Sequence, residues 1–193
     1  MAHLSAIAAA MFSDFAVAAP ITDLTPAALD ALDTEQEFMD LFATEISSQG
    51  GTKAAGTFVR IKNVREIPQL GEAPNIVNVP TFGQRTSDSI QGQSDAPSLE
   101  LQLNFVPAEW APTTILGAMR GVGVSRVYRV AMLANEPDGD ASTSLGLGSV
   151  LNSQMFFVGK MEALQYQPQL TDSTLATLTL SIQSDQFGLY TNT

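Results

Sequence analysis

Few residues in this chain could carry out chemistry, and each meets an objection from its surroundings. The single histidine, His3, stands at the start of the sequence. General-base catalysis needs an imidazole held within hydrogen-bond reach of its proton, and a residue so near a terminus is rarely held that way. Cysteine is absent, so disulfides, thiolate metal sites and cysteine nucleophiles are all excluded. Gly92-Gln93-Ser94-Asp95-Ala96 has the outline of a nucleophile elbow. An elbow needs a strand-to-helix turn and a histidine partner, whereas a strand-forming run follows here, so the segment reads as a turn. Asp138-Gly139-Asp140-Ala141-Ser142 begins like a calcium loop, but position six is Thr143 where glycine makes the turn, and position twelve is Ser149 where glutamate closes the shell. Gly121-Val122-Gly123 and Gly146-Leu147-Gly148 lack the third glycine and the strand-turn-helix setting of a dinucleotide site. Asp95, Glu100 and Glu109 are close in sequence, and glycosidases use carboxylate pairs, yet Glu100 falls on the polar face of a strand. No catalytic, cofactor-binding or metal-ligating residue is assigned, and the chain reads as a protein that is not an enzyme.

Charge narrows the partners. The chain has 20 Asp plus Glu against 9 Lys plus Arg, a net charge of −11, and only 15% charged residues. Soluble proteins usually carry about a quarter, so the low content suggests a surface covered by neighbours. Nucleic-acid binders cluster Lys and Arg to displace counterions, and the basic residues here are scattered singly. The opening, MAHLSAIAAAMFSDFAVAAP, has an apolar run, but no Lys or Arg precedes it and Asp14 interrupts it; it does not read as an export signal. No window reaches the roughly 18 apolar residues of a membrane span.

The elements that position everything follow from periodicity. The segment 78–107, NVPTFGQRTSDSIQGQSDAPSLELQLNFVP, is the organising stretch. Leu99, Leu101, Leu103 and Phe105 alternate with Glu100, Gln102 and Asn104, the period of a half-buried strand. Before Lys53, the first basic residue, the acidic residues are unopposed and helix signals concentrate. Thr25-Pro26 is a cap and first-turn pair, and Asp33 with Gln36 resembles a capping box. Phe38, Leu41, Phe42 and Ile46 fall at helical spacing before Gly50-Gly51. Residues 1–52 therefore read as an acidic arm with one or two short helices, and 53–193 as the main domain.

In that domain Phe58, Val59 and Ile61 mark a strand, 68–74 a turn-rich link, and Ile76, Val77 and Val79 a second strand. Residues 85–90 read as a loop or edge strand. Trp110, Ile115, Leu116 and Met119 mark a helix starting after Ala111 and stopped by Gly121 and Gly123. Residues 124–133 form a strand with Arg126 and Arg129, 135–148 a long loop, 155–158 a strand continued through 162–167 after a bulge at Gly159, and 175–182 a last alternating strand. The tail from Asp185 reads as short and polar apart from Phe187, Leu189 and Tyr190. This order gives an α+β, mainly β fold: an antiparallel β-sandwich or barrel-like core with one flanking helix and a partly helical amino-terminal arm.

The succession of the strand at 56–64, GQRTSDSIQGQSDAPSLELQLNF, the helix ending Leu116-Gly-Ala-Met-Arg, the strand Ser125-Arg-Val-Tyr-Arg-Val, Phe156-Phe157-Val158-Gly159 and a final Leu-Thr alternation resembles the tail tube proteins of long, flexible-tailed bacteriophages over 53–185. The resemblance implies a virion protein, assembled in the host cytoplasm, that forms hexameric rings stacked into a hollow tube. DNA leaves through the lumen without specific binding, and the partners are further copies, the tape measure, the terminator and the tip. It implies no cofactor, metal or membrane. The inter-ring elements would be 68–90, 135–148 and the arm. Sheet edges with few blocking lysines fit ring closure, and an acidic lumen would let DNA slide. The nearest alternative is another tail or head-tail joining ring, a terminator or connector. A carbohydrate-binding sandwich would display exposed aromatics, and a small hydrolase would need more than His3.

Overall fold

A computed structural model describes residues 14–19, 26–50, 54–69, 76–79, 88–91, 98–132, 153–169, 173–184 and 187–191. Eleven strands and three short helices follow one another among them: β1 (Asp14–Ala18), α1 (Pro26–Asp30), α2 (Glu35–Asp40), β2 (Thr44–Glu45), β3 (Thr57–Arg60), β4 (Val64–Glu66), β5 (Ile76–Val79), β6 (Asp88–Gln91), β7 (Ser98–Asn104), α3 (Ile115–Met119), β8 (Arg126–Met132), β9 (Ser153–Gln167), β10 (Leu175–Ile182) and β11 (Phe187–Thr191). The fold is mainly β, as the periodicity implies.

β7 behaves as its alternation dictates. Leu99, Leu101 and Leu103 are buried while Glu100 and Gln102 are exposed. Its neighbour β10 sets Leu180 opposite Leu99 and Leu178 opposite Leu101, the cross-strand apolar pairs that stabilise a sheet. The main sheet runs β2-β3-β1-β8-β9-β10-β7-β4, with β11 on β9, and only the short β2–β3 pairing is parallel.

Three residues bring the two ends of this sheet together. β3 flanks β1 and β4 flanks β7, yet only 61–63 separate β3 from β4. The Ile61 amide donates to the Phe15 carbonyl at 2.8 Å, and the Asn63 carbonyl accepts from the Asn104 amide at 2.9 Å. Two residues span at most about 7 Å, so β1 and β7 lie on either side of one corner. Asn63 turns that corner with φ 61°, a left-handed conformation that asparagine tolerates better than most residues. Counting β3–β4 as one bent strand, the wall is a barrel of six, and it closes within a single chain.

The interior is one apolar core to which every wall strand contributes, including Phe15, Val59, Leu101, Tyr128, Phe157 and Leu178. Trp110 and the buried face of α3, Ile115, Leu116 and Met119, join it. Because the wall is continuous, the helix can reach that core only through an open end. The helix starts later than its apolar spacing suggests. Pro112 lies in the preceding turn, and Thr114 caps the helix, its Oγ1 accepting from the Gly117 amide at 3.1 Å.

β9 joins the two halves of the wall. Its first part pairs with β8 and β11, and its second with β10. The register shifts opposite Thr179/Leu180, which leaves Glu162 as the extra residue. The bulge is therefore at Glu162 and not at Gly159, which stays in register with Arg126 and Ile182. A Cβ at Gly159 would lie 2.9 Å from the Ser181 carbonyl oxygen, so the glycine serves close strand approach.

The amino-terminal segment is more than an arm. Its helices α1 and α2 are present, with Pro26 in the first turn of α1, but β1 sits inside the sheet between β3 and β8. All five β1 residues are buried. Phe15 and Val17 face the barrel core, while Ala16 and Ala18 face a second cluster with Phe58, Val127, Phe156, Leu29, Phe38 and Phe42. α1 and α2 thus cover the outside of this half of the wall. The box at α2 pairs Thr34 with Glu37 rather than Asp33 with Gln36: the Thr34 amide donates to Glu37 Oε2 at 2.9 Å and Oγ1 of Thr34 accepts from the Glu37 amide. The helix stops at Asp40, and Ile46 packs on the other core. In the tail, the stretch Phe187–Thr191 that holds its apolar residues forms β11.

Candidate functional site

Four charged side chains gather between the wall and its helical cover. β1 register sets Ala16 between Arg60 of β3 and Arg129 of β8, with Asp14 two residues along on the same face, opposite Ala131. The two small alanines leave room for long side chains to cross the strands. Arg129 Nη2 donates to Asp14 Oδ2 at 3.1 Å, and Arg60 Nε lies 3.4 Å from both Asp14 Oδ1 and Glu45 Oε2. Glu45 comes from β2, which follows the cover. The Arg129 guanidinium is 0% exposed and lies between two rings, 4.9 Å from the centroid of Phe42 and 4.8 Å from that of Phe58.

The quartet balances two positive charges with two negative ones. Burial pulls Arg129 below its ordinary value and Asp14 pulls it back; a guanidinium stays charged nonetheless. Burial pushes Glu45 above the usual carboxylate range, opposed by Arg60. Arg129 Nε and Nη1, Arg60 Nη2 and Gln154 Oε1 have no hydrogen-bond partner. Both carboxylates face guanidinium groups, so the arrangement is built to fasten β1, β2, β3 and β8 rather than to exchange protons with a substrate. Among the described residues no three His, Asp or Glu side chains are placed to hold a metal ion, and no helix is long and apolar enough to cross a membrane.

A second feature stands apart from the wall. β5 and β6 form a two-stranded antiparallel ribbon of their own, with Val77 opposite Ile90 and Val79 opposite Asp88. Val79 is 38% exposed.

Of the residues weighed for chemistry, few are described. His3, 92–96 and the loop 135–148 lie outside the described residues. Glu100 is exposed opposite Thr179, and the Glu109 carbonyl accepts from Thr114 Oγ1 at 2.7 Å in the turn before α3. Gly121 and Gly123 have φ of 63° and 69° and turn the chain from α3 into β8. The quartet was missed, although one signal pointed to it: Asp14 stands alone in an apolar run, and a buried carboxylate needs a cation. No protein-family model matches the chain, and no curated protein matches it.

Proposed function

We propose that this chain is a structural subunit that forms rings and stacks them into a hollow tube of the phage-tail kind. The observation that carries this reading is the β5–β6 ribbon, two four-residue strands that among the described residues pair only with each other. A lone two-stranded hairpin is marginal in water and needs a surface to pack on. A second copy provides one. All of the ribbon but Gln91 lies within the stretch 68–90 that the resemblance makes an inter-ring element, and the barrel with its covering helices supplies a rigid ring wall. Low charge content suits a subunit enclosed by neighbours, and a net charge of −11 suits a conduit that DNA traverses without sticking.

Wall closure changes where ring contacts fall. The corner at Asn63 closes the wall within one chain, so ring neighbours meet through strands outside it; among the described residues β2 pairs only with β3 and β11 only with β9. Negative-stain microscopy and gel filtration of the full chain test the proposal. Tubes are expected from the wild type, and rings without tubes when 76–91 is replaced by a short Gly-Ser linker. A wild-type protein that stays monomeric at every concentration overturns the reading; one that forms only single rings assigns it to the terminator or connector class instead.

A further inference from the structure

We infer that residues 26–50 form a strap that opens as one unit from the closed barrel, and that its opening frees α3 by breaking the hydrogen bond between Ser48 and Ile115. The inference rests on the fold and holds whether or not copies assemble. The strap comprises α1, α2 and β2. Of its apolar side chains, Leu29, Phe38 and Phe42 join the cluster outside the wall, and Ile46 packs on the barrel core.

The strap depends on the wall, but the wall does not depend on the strap. Its helices have five and six residues, and helices shorter than about 12 residues are marginal in water on their own. They hold to the wall by ring contacts: Phe38 stacks on Phe156 with centroids 5.6 Å apart, and Phe42 lies 5.7 Å from both Phe58 and Phe156. β2 then adds two residues to the sheet, with the Thr44 and Ile46 amides donating to the Gly56 and Phe58 carbonyls at 2.9 Å. Beneath this cover the groups are poorly satisfied. Arg129 is fully buried against Phe42, and its Nε and Nη1, with Nη2 of Arg60, have no hydrogen-bond partner among the described residues. Buried donors left unpaired cost free energy that water returns when the cover lifts. The barrel core loses little, because Phe15 and Val17 face it from the opposite side of β1 to Ala16 and Ala18.

The end of the strap reaches the helix inside the barrel. The Ile115 amide, at the first position of α3, donates to the Ser48 carbonyl at 2.8 Å. The first amides of a helix have no partner within it. Thr114 serves two of those in α3, its Oγ1 accepting from Gly117 at 3.1 Å and its carbonyl from Ala118 at 3.0 Å. Ser48 serves the third. Ile115 is buried, so its amide has no water to turn to when the strap leaves, and a helix of five residues has few other bonds to hold it. Opening on the outside of the wall therefore reaches the core through residues 44–48, and the molecule has a level of opening below global unfolding.

Amide hydrogen exchange of the full chain, followed by NMR at concentrations too low for association, tests both steps. The amides of Phe42, Thr44 and Ile46 in the strap and of Ile115, Gly117 and Ala118 at α3 share one opening and one dependence on urea, with protection roughly tenfold or more below that of the ladder amides of β7, β8 and β10. A reversible lock then separates strap from helix. The chain has no cysteine, so Thr44→Cys with Thr57→Cys, register partners on β2 and β3, places a single disulfide across the foot of the strap, adjacent strands lying about 4.8 Å apart and within disulfide reach. Oxidation brings the α3 amides to the protection of the ladder, and reduction returns them to the strap's. Strap amides as protected as the ladder overturn the strap. An α3 whose protection is the same in the oxidised and reduced forms overturns the coupling, and a disulfide that fails to form on oxidation overturns the seating of β2 on which both depend.

Discussion

Asp14 and Arg129 form an ion pair whose two members should fail very differently. Asp14→Ala removes the only carboxylate hydrogen-bonded to Arg129, a guanidinium that is 0% exposed and already has Nε and Nη1 unpartnered. Stripping one partner from a buried pair costs about 3–5 kcal/mol, because the other charge stays buried and uncompensated. In a chain of 193 residues each kcal/mol moves Tm by about 2–4 °C, so a fall of roughly 6–20 °C is expected. Arg129→Met acts in the opposite sense. It removes the buried charge, it leaves Asp14 with Arg60 at 3.4 Å, and it keeps a polarisable group between Phe42 and Phe58, where sulfur-aromatic contacts of about 0.3–1.5 kcal/mol replace the cation contacts. The expected cost is below about 2 kcal/mol, and the double variant should be no less stable than Asp14→Ala alone. Trp110, the single tryptophan and buried in the core, reports the transition in urea by its emission, at concentrations too low for association to contribute. An Arg129→Met more damaging than Asp14→Ala would refute the reasoning, since Arg129 would then stabilise the wall through contacts other than its pairing.

Two further expectations follow from single side chains. Glu45 has its carboxyl raised by burial, so the folded chain holds that proton more tightly than the unfolded one. Its contribution is complete below the unfolded value near 4.5 and fades as pH rises through the higher folded value. Glu45→Gln should flatten the loss of stability over that window and leave the protein no less stable at neutral pH; comparison of urea midpoints at pH 5 and 7.5 checks this, and a clear loss at pH 7.5 counts against it. Gly117→Ala is expected to cost more than about 3 kcal/mol, because the new Cβ would lie 1.9 Å from the Ala111 carbonyl oxygen and 2.6 Å from its carbon. Lifting α3 exposes Trp110, so its emission should shift to the red; a Tm within a few degrees of wild type contradicts the close approach.

Legibility in the sequence depended on how many faces of a strand are buried. β7 and β10 have one face in the core and one outside, and their period of two reveals them at once. β1 is buried on both faces, so DFAVA shows no alternation and looks like the middle of a signal peptide or an arm. Corner and bulge positions were harder. The helical spacing of Phe38, Phe42 and Ile46 crosses from one core to the other because the chain leaves α2 and enters β2 between them. Gly159 looks like a bulge, yet its lack of a side chain serves contact with Ser181, while Glu162 bears the extra residue. Charge pairing across strands was invisible because Asp14, Glu45, Arg60 and Arg129 are brought together only by register, and no local pattern encodes which strand neighbours which.

That register also bears on assembly. A barrel closed by the corner at Asn63 already pairs β1 with β3 and β8, and β7 with β10 and the short β4, so neither strand depends on a neighbouring copy to join the wall. What remains for neighbours is the outside: short edge strands and a ribbon that has no third strand among the described residues. Such contacts form between chains that are already folded, and they can be lost one at a time. A change in the ribbon should then abolish stacking while leaving the Trp110 transition where it was, whereas a change in the quartet should move that transition first. If a ribbon variant such as Val79→Asp lowered the urea midpoint of the isolated chain as much as Asp14→Ala does, ribbon and barrel would be one cooperative unit, and fold and assembly would not be separable.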